Sequence, residues 1–173
     1  MKTTALVVAG ALAVLAAGMG SRSLLPWLQA APQASATPPP VLQAGDVLAP
    51  FDAQGIDGVS KHISFPEGTN TVLLFFLSGC PHCHRMMPEW NRAFAGRPPN
   101  LAVVGVLMDM EPPGFLEKMP VAFPVVRAPS IAFLHSIKVY RAPLTLRVAP
   151  GGRVEDLGPG ELEPLRLLEL FRR

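Results

Sequence analysis

The sequence predicts an α/β fold in which a central mixed β-sheet is flanked by helices. Two continuous apolar runs of strand length, Thr71–Leu77 and Leu101–Met108, are typical of strands that are buried on both faces of a sheet. A helical pattern separates them and extends to about Phe94, so these segments predict a βαβ unit with a parallel strand pair. The length of 173 residues suits one such domain with a short appendage.

The N-terminal segment 1–28 has the pattern of a signal peptide or a membrane anchor. Lys2 precedes an uncharged run of 19 residues, Thr3–Ser21. A membrane-spanning helix needs about 20 apolar residues, so the length of the run slightly favours an anchor over a cleaved signal peptide. Residues 29–43 are rich in Ala and Pro and are expected to form an extended linker. In either case we expect the folded part, 44–173, to be periplasmic or otherwise extracytoplasmic, where disulfides persist.

The charge of the chain argues against a nucleic-acid partner. The formal net charge of +2 comes from the first 40 residues, which hold two basic and no acidic residues. The remainder carries thirteen basic and thirteen acidic residues and has no basic stripe. The folded part is therefore not expected to bind the phosphate backbone of a nucleic acid.

The rest of the folded part is predicted from turn signals and short periodic segments. Asp57-Gly58 is a turn signal between short apolar pieces, which predicts a loose β-hairpin. Pro88 lies inside the first helical segment and is expected to kink it. The hairpin is predicted over Val41–Ser64, followed by a short helix around Phe115–Met119, an extended piece at Phe123–Val126 and a short helix around Ser130–Leu134. Two strands, Leu144–Ala149 and Arg153–Leu157, are then joined by a turn at Pro150–Gly152. The last predicted element is a helix over Glu161–Phe171.

The chemistry of the chain is predicted from its only two cysteines, Cys80 and Cys83, which are spaced C-x-x-C. Cys80 follows a buried strand and begins the next helix, where the helix dipole and free backbone N–H groups favour a thiolate. His82, between the cysteines, can add a hydrogen bond or a positive charge that favours the same anion. Cys83 is expected to be shielded and to act as the resolving thiol. The spacing therefore predicts a redox-active dithiol.

Four other interpretations of the cysteine pair stay open at this point. A static disulfide across so short a loop would stabilise the fold by only about 2 kcal/mol, and a zinc site lacks a second pair of ligands. The segment from Cys80 to His84 also matches C-x-x-C-H, the attachment signature of a c-type haem electron-transfer protein. A copper metallochaperone could add Met86 and Met87 to the cysteines, because soft sulfur ligands suit Cu(I).

The order of these landmarks resembles the thioredoxin fold and, within it, the exported redoxins typified by TlpA and ResA. The resemblance covers about 44–173. It rests on the opening hairpin, on the apolar strand before the Cys80–Cys83 segment and on Pro88, five residues after the second cysteine. The matching segments that follow are Leu101–Asp109, Phe123-Pro124-Val125, Tyr140–Leu146 and Pro150–Val154. The resemblance implies a thioredoxin-like fold with the hairpin as an N-terminal extension.

The resemblance also implies an active site around the dithiol. Pro143 would be the cis-proline beside the cysteines, although an ordinary trans turn also fits its sequence. The backbone of Ala142 would pair with the extended chain of a substrate. No metal is implied, and no cofactor beyond the redox-active Cys80–Cys83 disulfide. The implied site residues are the catalytic Cys80, Cys83 and His82, the active-site loop residues Pro81 and Pro143, and the substrate-binding Ala142.

The function implied by the resemblance is that of a thiol–disulfide oxidoreductase that acts on exported protein thiols and disulfides. Family placement favours a reductase, for example in cytochrome c biogenesis, with electrons supplied by a membrane thiol carrier. The Pro81-His82 dipeptide instead favours oxidation or isomerisation, because it matches DsbA-type oxidants, whose reduced thiolate is stabilised. The cysteine segment also resembles MauD-type maturation factors. Two positions depart from the group, because Gly79 replaces a frequent Trp and Met86 replaces an acid found in some reductases.

Overall fold

The structure is a computed structural model that describes residues 39–172. The predicted signal peptide or anchor over 1–28, and the predicted linker up to residue 38, lie outside the described residues. The strands are β1 (Phe51–Gly55), β2 (Ser60–Ile63), β3 (Asn70–Phe76), β4 (Leu101–Leu107), β5 (Val125–Arg127), β6 (Leu144–Val148) and β7 (Val154–Pro159). The helices are α1 (Pro81–Ala95), α2 (Phe115–Lys118), α3 (Ile131–Ser136) and α4 (Pro164–Arg172).

The described strands form one mixed sheet, in the order β2-β1-β5-β4-β3-β6-β7. β3 is parallel to β4, and β4 is parallel to β5, while the remaining neighbours are antiparallel. The predicted βαβ unit is thus present as β3, α1 and β4. Because β3 lies inside the sheet and is covered on both faces, the apolar side chains Val72 to Phe76 are fully buried.

Alternating side chains of β3 enter two separate cores. Val72, Leu74 and Phe76 pack on one face of the sheet against α1 and α4. Leu73 and Phe75 pack on the other face, against α3 and the N-terminal hairpin. This alternation follows from the period of two along a strand. It holds α1, which begins with the cysteine segment, firmly against the carboxyl end of the central strand.

Helix α1 begins and packs as its sequence dictates. Cys80 is the N-cap residue, with φ −89° and ψ 113°, and Pro81 occupies the start of the helix, where its missing N–H is no loss. Met87 and Trp90 lie on the buried face of the helix. The helix continues through Pro88, which is exposed to solvent, and ends at Gly96.

The predicted α/β class with a mixed sheet and an N-terminal hairpin is confirmed, and the differences concern element boundaries. The extended piece expected at Phe123–Val126 is β5 at Val125–Arg127, because Pro124 lacks the N–H that a ladder position needs. The C-terminal helix begins at Pro164 rather than Glu161, as suits a residue tolerated only in the first turn.

The first described residues already belong to the packed domain. Leu42, at the end of the predicted linker, is buried together with Leu48 in the core under the N-terminal hairpin. Gly45 donates a backbone hydrogen bond to Val154, which ties this segment to β7. Among residues 39–172, no helix has both the length and the apolar character needed to cross a membrane.

Candidate active site

Cys80 lies at the junction between the carboxyl end of β3 and the start of α1. Its side chain is partly exposed, and its Sγ accepts a hydrogen bond from the backbone N–H of Cys83 at 3.3 Å. A free N–H at a helix N-terminus stabilises an anion there, and the helix dipole acts in the same direction. The arrangement places Cys80 Sγ at the surface, next to an N–H donor of the helix start.

Cys83 lies one turn further along α1 and faces the opposite environment. Its side chain is fully buried in the core between α1 and the sheet. Burial, followed by its hydrogen bond with Cys80, raises the pKa of the Cys83 thiol to about 12. Both cysteines are free thiols in the structure. The two sulfurs are therefore chemically unequal, since one is exposed near N–H donors and the other is buried and held protonated.

The loop before β6 lies against the exposed cysteine. The Ala142–Pro143 peptide bond is cis, as the resemblance implied. The carbonyl oxygen of Ala142 lies 3.9 Å from Cys80 Sγ, although 62 positions separate the residues in the chain. The structure thus brings Cys80, Ala142 and Pro143 together, as predicted.

Asp109 supports the loop that carries Cys80. The parallel register pairs Phe76 with Leu107, so the residues two positions beyond each strand end meet as well. The Asp109 carboxylate accepts hydrogen bonds from the Ser78 backbone N–H at 2.9 and 3.1 Å and from the Ser78 hydroxyl at 2.8 Å. In the sequence analysis Asp109 is only the last residue of the matching segment Leu101–Asp109 and has no assigned role. Its contact with Ser78 depends on the register of the two strands, which the sequence does not show.

His84 fixes the same loop from the other side. Its Nε2 lies 2.6 Å from the carbonyl oxygen of Ser78, and its ring packs against Phe115. Asp109 thereby holds the backbone N–H of Ser78, and His84 holds its backbone carbonyl. The half-buried imidazole is a structural partner of the loop in this state.

A charged cluster lies beside the dipeptide between the cysteines. The exposed His82 contacts Glu161 through its Nδ1, and Arg85 donates to both oxygens of Glu161, at 2.9 Å from Nε and at 2.5 Å from Nη2. Arg85 first, and then His82, lower the pKa of Glu161 to about 2. Sequence reasoning missed Arg85 and Glu161. The proximity of Arg85 to His82 could have been predicted, because residues three positions apart on a helix lie on the same face.

The remaining candidate ligands are used in packing. Met86 and Met87 are both buried, and Met86 Sδ lies 3.3 Å from the backbone N–H of Leu162. Over residues 39–172, no group of three or more His, Cys, Asp or Glu side chains is arranged to hold a metal ion. Both methionine side chains pack in the core between α1 and the sheet.

The fold and the dithiol define the class of the protein. A thioredoxin-like sheet, a C-x-x-C pair at the start of the first helix and a cis-proline facing the first cysteine are present together. Solved structures with this fold confirm the predicted resemblance, because the neighbours are TlpA/ResA/DsbE-like thiol–disulfide oxidoreductases. These neighbours support oxidoreductase activity.

Individual relatives show how far the similarity extends. A structure from Chlorobium tepidum, described as a thiol:disulfide interchange protein DsbE, is 25% identical with a TM-score of 0.64, covering 75% of this chain and 93% of that one. DsbF of Mycobacterium tuberculosis is 26% identical with a TM-score of 0.59, covering 70% and 92%. StoA of Bacillus subtilis shares the fold at 21% identity and a TM-score of 0.61, covering 70% and 96%. No family model and no curated protein matches the sequence.

Proposed function

We propose that the chain is an extracytoplasmic thiol–disulfide oxidoreductase that exchanges disulfides with exported proteins through Cys80-Pro81-His82-Cys83, chiefly as a reductase. The observation that carries the proposal is the inequality of the two sulfurs. Cys80 is partly exposed and accepts an N–H hydrogen bond, whereas Cys83 is fully buried and its pKa is raised to about 12. This inequality supports separate roles as nucleophile and resolving thiol. The extracytoplasmic location rests on the uncharged run Thr3–Ser21.

The reaction has two exchange steps. The Cys80 thiolate attacks one sulfur of a substrate disulfide, so a mixed disulfide forms and the other substrate sulfur leaves as a thiolate that takes up a proton. The Cys83 thiol then loses its proton and attacks Cys80 Sγ. The Cys80–Cys83 disulfide forms, and the second substrate sulfur leaves as a thiolate that takes up a proton. Two electrons pass from the dithiol to the substrate, and an exported thiol carrier in the membrane would return the pair to the reduced form.

The residues around Cys80 have defined roles in this proposal. The backbone of Ala142, whose carbonyl lies 3.9 Å from Cys80 Sγ, pairs with the extended substrate segment next to its disulfide. Pro81 starts the helix that presents its N–H groups to the sulfur. His82 sets the charge beside the site and thereby affects the balance between thiolate and disulfide. Protein substrates such as apocytochromes follow from the resemblance to the TlpA/ResA-like redoxins.

The geometry supports a dithiol over the haem and copper alternatives. Covalent haem attachment needs both sulfurs at the haem edge, yet Cys83 is fully buried in the core. The third member of that signature, His84, is 2.6 Å from the Ser78 carbonyl. Copper capture would need the methionine sulfurs, and both Met86 and Met87 are buried.

Two single-cysteine variants test the proposed roles. Cys83→Ser should accumulate a mixed disulfide with a disulfide-bonded model protein such as insulin, because the resolving thiol is absent. The matched variant Cys80→Ser should form none. Adduct formation by each variant is measured on non-reducing gels and by mass spectrometry. Equal adduct formation by the two variants would contradict the assignment of Cys80 as the nucleophile.

The direction of exchange is tested by the reduction potential of the full chain. A reductase should lie near the potentials of reducing dithiols such as thioredoxin, about −270 mV. A value close to that of DsbA, about −120 mV, would contradict the reductase and support the oxidant. The measurement equilibrates the protein with glutathione buffers and quantifies the free thiols.

A further inference from the structure

Glu161, in the loop between β7 and α4, lies against two residues at the start of the helix that carries the cysteines. Glu161 lies 79 positions after His82, yet its carboxylate contacts His82 Nδ1 and receives two hydrogen bonds from Arg85. The His82, Arg85 and Glu161 side chains are all substantially exposed. Arg85 Nη2 also lies 2.8 Å from His82 Nδ1, so the three side chains form one cluster around the carboxylate, which we term the Glu161 cluster.

The Glu161 cluster is electrostatically connected to the nucleophilic sulfur. The pKa of Arg85 lies above its usual value, mainly because of the hydrogen bonds with Glu161 and to a smaller degree because of the charge on Cys80. Arg85 lies in the second turn of the helix that Cys80 caps, so its guanidinium and the sulfur are at the same end of α1. Glu161, with its pKa near 2, carries its charge at every pH at which thiols exchange. Without that carboxylate, the guanidinium charge would act on Cys80 uncompensated.

Charge beside the thiolate determines the redox balance of such a pair. A cation stabilises the thiolate, which exists only in the reduced form, and so makes the disulfide more oxidising. This is the physical basis of a strong oxidant. A carboxylate that pairs with the cation reverses part of the effect, because it places an opposing charge at a similar distance.

We propose that Glu161 is a positioning residue that keeps the dithiol reducing, by pairing with Arg85, contacting His82 and offsetting the guanidinium charge at Cys80. This inference rests on the proposed thiol–disulfide exchange and names the residue that sets its direction. It explains how a Pro-His dipeptide, which alone suggests an oxidant, is compatible with a reductase.

Replacement of Glu161 by glutamine tests the proposal. Glu161→Gln should shift the equilibrium with glutathione about tenfold toward the dithiol, which corresponds to a potential about 30 mV less negative for a two-electron couple. The matched control is Glu163→Gln, which removes an equal charge from an exposed position two residues away that does not pair with His82 or Arg85. The control should leave the equilibrium unchanged.

Two further readouts separate an electrostatic role from a merely structural one. Arg85→Gln should move the equilibrium in the opposite direction, toward the disulfide, because it removes a cation. In the Arg85→Gln background, the effect of Glu161→Gln should shrink, since part of its target is gone. The shift should also fade at acid pH, where both thiols are protonated. Arg85 interacts electrostatically with Cys80, and Asp109 with Cys83, while His82 and Glu161 lie against Arg85.

The outcomes distinguish this inference from the proposed function. If the unmodified chain fails to exchange with glutathione at all, the proposed function is wrong. If it exchanges normally but Glu161→Gln and Glu163→Gln give the same potential, or if Arg85→Gln shifts the equilibrium in the same direction as Glu161→Gln, the role of Glu161 is wrong. Far-ultraviolet circular dichroism establishes that each variant is folded.

Discussion

Replacing Cys80 with serine leaves Cys83 as the only thiol in the chain and gives a direct measure of its burial. An ordinary cysteine has a pKa of about 8.5, so a pKa of about 12 lowers the thiolate fraction at neutral pH by about three thousandfold. Serine removes the smaller contributions of Cys80, but burial, the largest cause, stays. We therefore expect native alkylation of Cys83 to be at least about a hundredfold slower than that of a normal exposed cysteine.

The assay compares two variants that differ only in which sulfur is left. Cys80→Ser and Cys83→Ser are treated with iodoacetamide at neutral pH, and the alkylated fraction is followed by mass spectrometry. Cys83→Ser should react readily and Cys80→Ser should hardly react. In urea the two should react alike, because unfolding exposes both side chains. Comparable rates in the native state would refute the burial of Cys83 and with it the division of roles between the two sulfurs.

The remaining predictions concern the core and the loop below the site. Trp90→Phe should lower the free energy of unfolding in urea by about 1–3 kcal/mol, because it removes the buried 3.0 Å hydrogen bond to Thr145 Oγ1. Gly105→Ala should lower it by about 1–3 kcal/mol, since a Cβ there would lie 2.8 Å from an aromatic ring; an unchanged transition would contradict the packing. Asp109→Asn, placed in the Cys80→Ser background, should speed alkylation of Cys83 at alkaline pH, because burial raises the pKa of that thiol most and the Asp109 charge adds a smaller contribution; an unchanged rate would contradict that contribution.

The parts of the fold that the sequence predicts are those with a strong local pattern. The apolar runs of β3 and β4 leave few alternatives to strands buried on both faces, and the cysteine segment with Pro81 marks a helix start. Two of the boundaries that shifted lie at Pro124 and Pro164. There the prolines, rather than hydrophobic periodicity, decide where backbone hydrogen bonds can begin.

The parts of the site that sequence reasoning could not supply depend on contacts between distant loops. Asp109 supports Ser78 only because the register of β3 and β4 brings their carboxyl ends side by side. Glu161 reaches His82 only because β7 ends near the start of α1. Neither contact leaves a periodic signal. By contrast, the proximity of Ala142 to Cys80 was predicted, because the resemblance implied the complete topology of the fold.

The dependence of His82 on Glu161 changes how a C-x-x-C dipeptide should be interpreted. A histidine between the cysteines favours the thiolate only to the extent that its positive charge, or its N–H, is directed at the sulfur. In this chain the Nδ1 of His82 contacts the Glu161 carboxylate and lies 2.8 Å from Arg85 Nη2. The same two-residue insert can therefore serve an oxidant or a reductase, according to the charge that a remote loop sets beside it. The direction of exchange is a property of the folded cluster, and the dipeptide alone does not determine it.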